Sequence, residues 1–256
     1  MMELPTDLTV VIAAKDEAAT IADVILACRP YAREIIAVVD RRTHDETAAI
    51  AARLGARVLV DHGRGKGDAL RTAIAEIRTD LTVFIDADGS HEARDVPRLI
   101  QPILEGRAEH VSASRLMGGS SELHGGFDEF LRLSGSSFIT ACINRRFGVR
   151  LSDTQNGFRA IRTDVLQRLG LREDSTTIEQ EMVIRSLGMG YRIVEIPSHE
   201  YQRKAGISHI NVRRAALRYV ICLCRDLWCT RYPKVAAVLA DAPVPSAVYR
   251  STADGS

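Results

Sequence analysis

Four short apolar runs, Leu8–Ala13, Glu34–Val39, Arg57–Val60 and Leu81–Ile85, punctuate the first third of the chain, and a helix-patterned stretch separates each from the next. Runs of this length that are apolar on both faces belong to strands covered by helices on both sides, the signature of a parallel sheet. After the first run, Lys15-Asp16-Glu17 opens a helix in which Ile21, Val24, Ile25 and Cys28 recur at helical spacing, and Pro30 stops it. Thr43 or Asp45 caps the next helix, which runs to Gly55, and Asp68–Ile77 forms the third. Successive β-α units predict a doubly wound, mostly parallel α/β sheet with right-handed crossovers. Later segments extend the pattern. They are a helix over Val96–Leu104 broken by Pro102, a strand over His110–Ala113, a long helix over Phe127–Phe147, a strand within Asn156–Ile161, a short helix capped by Thr163, a helix over Thr177–Leu187 and a strand over Tyr191–Ile196. Met117–Gly126, with its four glycines, reads as a mobile loop.

In such sheets ligands bind beyond the carboxyl ends of the strands. There the fourth run passes into Asp86-Ala87-Asp88-Gly89-Ser90-His91. Two carboxylates at i and i+2, where a strand breaks into a turn, can converge on one hard cation, and Mg²⁺ completes its shell with water and substrate phosphate. An isolated D-x-D is more often an acidic turn that caps a helix. Here, however, Lys15-Asp16-Glu17, Asp40 and Ser114-Arg115 stand at other strand ends and gather at the same rim. Glu17 and Asp40 suit either helix caps or carboxylates for a nucleoside's base N–H and ribose hydroxyls. Gly63–Gly67 lacks the Ser or Thr and the spacing of a Walker loop, but Lys66 at a helix start near the rim is placed to meet phosphate.

A formal net charge of +1 argues against a bulk polyanion partner, so no nucleic acid is expected. The five cysteines lack metal-site spacing, and the chain reads as reduced and cytosolic. Met1–Thr9 is too polar for a signal peptide. No run reaches the roughly 18 apolar residues of a membrane span. The expected location is cytoplasmic, or peripheral at the cytoplasmic face of a membrane.

Further motifs occur in one order: Val10-Val11-Ile12-Ala13-Ala14-Lys15-Asp16-Glu17, Asp40, Gly65-Lys66-Gly67, the D-x-D-G-S-H stretch, Ser112-Ala113-Ser114-Arg115, Asp153-Thr154-Gln155-Asn156-Gly157-Phe158-Arg159, Glu195-Ile196-Pro197 and Arg203-Lys204-Ala205-Gly206-Ile207-Ser208. Over about residues 8 to 210 the chain resembles the family 2 glycosyltransferases, in their polyprenyl-phosphate (dolichol-phosphate mannose synthase-like) branch. The resemblance implies a GT-A fold, a divalent cofactor (Mg²⁺ or Mn²⁺), a nucleotide-sugar donor such as GDP-mannose or UDP-glucose, and inversion at the sugar carbon. It places Ala13, Lys15, Glu17, Asp40, Lys66, Asp86, Ala87, Asp88 and Arg203 at the donor, with metal on Asp86 and Asp88. It places Arg115 and Arg132 at an acceptor phosphate, where an arginine fork suits bidentate contact. The chain departs from the family pattern at Ala13 (usually proline), Arg41-Arg42-Thr43-His44 (usually Asp-Gly-Ser-Thr), Ser90 (glutamine) and His209 (lysine), and it lacks the branch's frequent C-terminal transmembrane helices.

The expected reaction is an in-line displacement, with Asp88 in the catalytic set. A lipid-phosphate acceptor is already anionic and needs no base. A hydroxyl acceptor needs a carboxylate, for which Glu181, Glu179 or Asp153 are the candidates, Glu181 foremost. A sugar nucleotidyltransferase would carry a glycine-rich loop with an arginine after the first strand. A haloacid-dehalogenase-type phosphatase would carry D-x-D-G on its first strand. A catalytically dead scaffold has no reason to keep both aspartates and all three arginines. The domain reading is a catalytic domain over 1–210, an amphipathic helical segment over 211–239 and a disordered tail over 240–256. In Val212–Trp228, Leu217, Val220, Ile221, Cys224, Leu227 and Trp228 form one apolar stripe flanked by Arg213, Arg214, Arg218 and Arg225, suited to a membrane surface or to packing, a homodimer contact included.

Overall fold

The strand β1 (Leu8–Ala14) is buried along almost its whole length, as its β-branched run requires. The computed structural model describes residues 7–121, 127–203 and 212–230, without the side chains of 127–133, 212–216 and Cys229. After β1 come α1 (Ile21–Cys28), β2 (Glu34–Val39), α2 (Thr47–Arg53), β3 (Arg57–Val60), α3 (Lys66–Ile74) and β4 (Leu81–Asp86), the expected β-α succession. Then follow α4 (Val96–Leu104), β5 (His110–Ser114), α5 (Arg115–Gly118), α6 (Phe127–Phe147), β6 (Arg159–Arg162), α7 (Thr163–Arg168), α8 (Ile178–Gly188), β7 (Ile193–Pro197) and α9 (Val212–Cys224).

Among the described residues the strands form one seven-stranded sheet in the order β3-β2-β1-β4-β6-β5-β7. Successive side chains of a strand point to opposite faces, so β1 feeds two cores. Val10 and Ile12 pack with Ile21 and Ile25 of α1 and Leu99 and Ile100 of α4. Val11 packs on the other face with Phe84, Leu70 of α3, Val165 of α7 and Met182 of α8. The mixed α/β fold with a mostly parallel sheet is as expected. The exception is β6, which runs antiparallel to both β4 and β5. Its register sets Arg159 opposite Phe84, so the chain just before β6 lies beside the end of β4, where the D-x-D begins.

Several local expectations give way. The segment Lys15–Thr20 is a turn rather than the start of a helix: Asp16 takes a left-handed φ of 53°, and the amide of Ile21 is the first to close a helical bond, on Glu17 O. Pro102 does not break α4, which continues through it to Leu104. Thr163 is no cap; its hydroxyl pairs with that of Thr82 across the sheet at 2.8 Å. The start of the glycine-rich loop is the short helix α5, and residues 122–126 lie outside the described set, as does the expected disordered tail.

A third core joins α6, α8 and α9 through Ile139, Ile143, Val183, Ile184, Leu223 and Leu227. Helix α8 is therefore enclosed on both sides, which is why its residues from Ile178 to Ser186 are all buried. Leu227 turns inward and leaves the expected stripe, while Leu217, Ile221 and Trp228 stay 63%, 56% and 64% exposed. Beyond α9 a single π-helical turn, Arg225–Cys229, buries Asp226 against Arg225 and Arg185.

Candidate active site

The D-x-D carboxylates sit at the end of β4, each already matched by a cation. Asp86 Oδ1 lies 2.5 Å from Lys66 Nζ, and its Oδ2 is 3.6 Å from His91 Nε2. Asp88 is buried; its Oδ1 accepts from the Ser90 amide at 3.0 Å and hydroxyl at 2.7 Å, and its Oδ2 lies 3.1 Å from Arg203. Ser90 thus holds the second aspartate by a short local bond. Burial alone would raise the Asp86 pKa, but Lys66 and His91 outweigh it and hold the carboxyl well below its usual range.

Lys66 owes its place to glycine. A Cβ at Gly67 would run into the carbonyl oxygen of Glu173, so only glycine lets the 173–174 backbone lie flush on the start of α3, where the Asp68 amide donates to Asp174 O at 3.2 Å. Lys66, the first residue of α3, is thereby aimed into the site, where it also meets Glu179 Oε1 at 2.8 Å. Burial would lower its pKa, but the two carboxylates overcome that and raise it. The antiparallel β6 supplies the roof: a Cβ at Gly157 would come within 2.8 Å of both Asp86 Oδ2 and Lys66 Nζ. The glycine of the Asn156-Gly157-Phe158 motif makes room for that ion pair.

On the donor side, Ala13 pairs in register with Asp86, and Ala87 is buried behind it. Lys15 is exposed at the rim. Glu17 accepts from Thr20 Oγ1 at 3.0 Å, and its carboxyl is raised chiefly by burial and further by Asp88. Asp40 is buried and its carboxylate is occupied: Arg42 donates from Nε at 3.0 Å and from Nη2 at 2.8 Å. That fork holds the Asp40 pKa low.

On the other side of the D-x-D, Arg115 grips Asp153 through Nε at 2.6 Å and Nη2 at 3.0 Å, and its Nη1 is 3.6 Å from Glu200. Its charge is therefore answered by two carboxylates. Asp153 is held by this fork, which overcomes burial and depresses its pKa. Arg132 lies in α6, but its side chain is outside the described set.

The expectation for Glu181 needs correction. Its carboxylate is fully buried and accepts from the amides of Arg172 and Glu173 and from Arg185 Nε at 2.8 Å, so it anchors the loop before α8 and faces no ligand. Glu179, two positions earlier and on another side of the helix, is the carboxylate that reaches the D-x-D, through Lys66. Its Oε2 is buried without a hydrogen-bond partner among the described residues. The sequence showed both glutamates and could not say which face of an all-buried helix meets the rim. Glu200 gave no advance signal, because it follows β7 with no motif of its own. Arg159 was visible only as a motif letter; it is fully buried and holds the Asn156 and Glu179 carbonyls, bracing both edges of the site.

The strand ends of this α/β sheet thus bring carboxylates and cations to one rim. The sequence profile described as Glycosyl transferase family 2 matches residues 9–170, and the chain belongs to that family of glycosyltransferases. It is 29% identical over 206 residues to glycosyltransferase AglJ of Haloferax volcanii, covering 80% of this chain and 66% of that protein. It is 29% identical over 162 residues to the dolichyl-phosphate hexose transferase of the same organism, covering 63% of this chain and 68% of the other. Among solved structures, glucosyl-3-phosphoglycerate synthase from Mycobacterium tuberculosis, in complex with Mn²⁺, UDP and phosphoglyceric acid, superposes with a TM-score of 0.70 at 22% identity. The match covers 89% of this chain and 80% of that one and establishes the shared fold.

Proposed function

We propose that the chain transfers a hexose from a nucleoside-diphosphate sugar to a polyprenyl phosphate, with inversion, using a divalent cation at Asp86 and Asp88. The observation that carries this reading is the pairing of the two aspartates with Lys66 and Arg203 at one rim. The donor set fits a hard cation that also takes phosphate oxygens. Bound there, Mg²⁺ or Mn²⁺ would act as a Lewis acid on the leaving diphosphate. Lys66 and Arg203 neutralise the aspartates in the structure, and with a cation on Asp86 and Asp88 their charges would be available to a diphosphate. Placing positive charge where the departing group gains negative charge is the main electrostatic lever of such a site. Glu17 and the Asp40–Arg42 pair line the nucleoside end, and Arg115 and Arg132 serve the acceptor phosphate.

A lipid acceptor keeps its tail in a bilayer, and no helix among the described residues is long and apolar enough to cross one. The exposed Leu217, Ile221 and Trp228 with the exposed Arg218 supply an amphipathic surface for peripheral docking. A second reading, a soluble hydroxyl acceptor, draws support from two observations: the Arg115 charge is already answered, and the buried Glu179 Oε2 has no hydrogen-bond partner among the described residues. The test is nucleoside diphosphate release from GDP-mannose and UDP-glucose with Mn²⁺. It is run with a polyprenyl phosphate in anionic vesicles, with 3-phosphoglycerate, and with neither. Acceptor-dependent release with the lipid alone supports the first reading; release with the soluble acceptor alone replaces it with the second.

A further inference from the structure

The nucleoside end of the site meets a guanidinium before it meets a carboxylate. Asp40 directly follows β2, its amide bonded to Ala14 O of β1 at 3.0 Å, and is buried. Its side chain is spent on Arg42, one edge of which is fully used: Nε on Oδ1 and Nη2 on Oδ2. Arg42 remains 54% exposed, and Nη1 has no partner among the described residues. The neighbouring turn fixes where the side chain lies. A Cβ at Gly63 would stand 2.7 Å from Arg41 Cγ and 3.4 Å from Arg42 Nε, so the turn after β3 lies against both arginines. Asp61 braces that turn from below, accepting from the amides of Arg41 at 3.1 Å and Gly63 at 2.7 Å. An arginine held by its Nε–Nη2 edge still offers the Nη1–Nη2 edge, two parallel donors in a plane.

We propose that Arg42, oriented by Asp40, is the residue that selects the donor's base, and that its free edge selects guanine. Two adjacent acceptors, O6 and N7, match a two-donor edge; adenine sets a donor beside N7, and uracil offers O4 next to an N–H. Asp40 is then a positioning residue that cannot itself take a base N–H while the fork holds. The inference rests on the donor reading above and narrows it to a GDP-sugar.

Calorimetric titration of the full chain with GDP, UDP and ADP in Mn²⁺ tests it, using wild type, Arg42→Lys and Arg42→Ala. Lysine keeps a cation on Asp40 but has no second edge, so it separates base selection from a merely structural salt bridge. The expected result is GDP bound about tenfold or more tighter than UDP and ADP by wild type, the range of one bidentate arginine–guanine contact. Both variants should bring GDP down to the level of UDP, with UDP affinity moving less than about threefold on the same basis. Equal or tighter UDP binding by wild type, or a GDP preference that survives Arg42→Lys, would overturn the assignment of Arg42 while leaving the donor class standing. No binding of any of the three nucleotides would instead contradict the donor reading, and this inference with it.

Discussion

Lys66 and Glu179 meet at 2.8 Å beneath the D-x-D, and the same ammonium lies 2.5 Å from Asp86. One cation thus serves two carboxylates, the buried Glu179 of α8 and the partly exposed Asp86 at the end of β4. Lys66→Met should leave Glu179 without its cation and Asp86 with His91 alone at neutral pH, a loss of about 3 kcal/mol in unfolding free energy. With Lys66 gone, burial works against the charged form of Asp86 with less to oppose it, so the penalty shrinks as pH falls and that carboxyl protonates. Urea denaturation at pH 7.5 and pH 5 checks this. A penalty that does not change with pH would mean that Lys66 contributes only packing.

Glu179→Gln keeps the size of the side chain and one hydrogen bond to Lys66. If the acceptor is a hydroxyl, its rate should fall about 10²-fold or more, the scale of a lost general base. With a phosphate acceptor, which brings its own anionic oxygen, the variant should stay within about threefold of wild type on the same scale. Parallel assays with the two acceptor types compare these outcomes directly.

The Arg115 fork on Asp153, with Glu200 beside it, sets how strongly an acceptor phosphate is held. Arg115→Ala should raise KM for a prenyl phosphate and leave KM for the nucleotide sugar within about twofold, since uniform binding is lost for one substrate only. Glu200→Gln removes a competing charge and should lower the acceptor KM severalfold. Opposite movements of KM in these two variants are the expected signature; equal effects on donor and acceptor would remove Arg115 from the acceptor site.

Much of this was legible from strand ends. The period of β1, the turn after β4 and the lone glycines carried enough information to place Asp40, Asp86, Asp88 and Lys66 at one rim. Helix faces were less legible. Helix α8 is buried on all sides, so its apolar pattern has no polar face to orient it, and Glu179 and Glu181 look alike in the sequence. The antiparallel β6 was hidden for a different reason: a four-residue strand carries no sign of its direction, yet it brings Gly157 over Asp86. Pairing among charged residues was not legible at all, which is why Asp40 read as a free carboxylate rather than as the anchor of Arg42.

His110 in β5 is fully buried, with Nδ1 3.0 Å from Ser186 Oγ, and burial, helped by Arg159, pushes its pKa well below 6.5. The folded protein therefore resists protonation there more than the unfolded chain does. The stability this contributes is complete above about pH 6.5 and is lost as pH falls toward the folded-state value, by at most about 1.4 kcal/mol per unit. Denaturation midpoints from pH 7.5 to 5 should slope downward for wild type and more shallowly for His110→Gln. Parallel slopes would assign the acid sensitivity to other groups.

The most direct test of the central claim is single-turnover sugar transfer from GDP-mannose to a polyprenyl phosphate, by wild type and Asp88→Ala, with Mn²⁺ and with excess EDTA. Asp88 is buried at the strand-end rim, held by Ser90 and Arg203 and outside the apolar cores, so Asp88→Ala should fold, as circular dichroism would show. The expected result is transfer by wild type only with Mn²⁺, and loss of at least about 10³-fold in the variant, the scale of a removed transition-state contact. Transfer by the folded variant at the wild-type rate, or by wild type in EDTA, would contradict a metal-dependent transferase centred on Asp86 and Asp88.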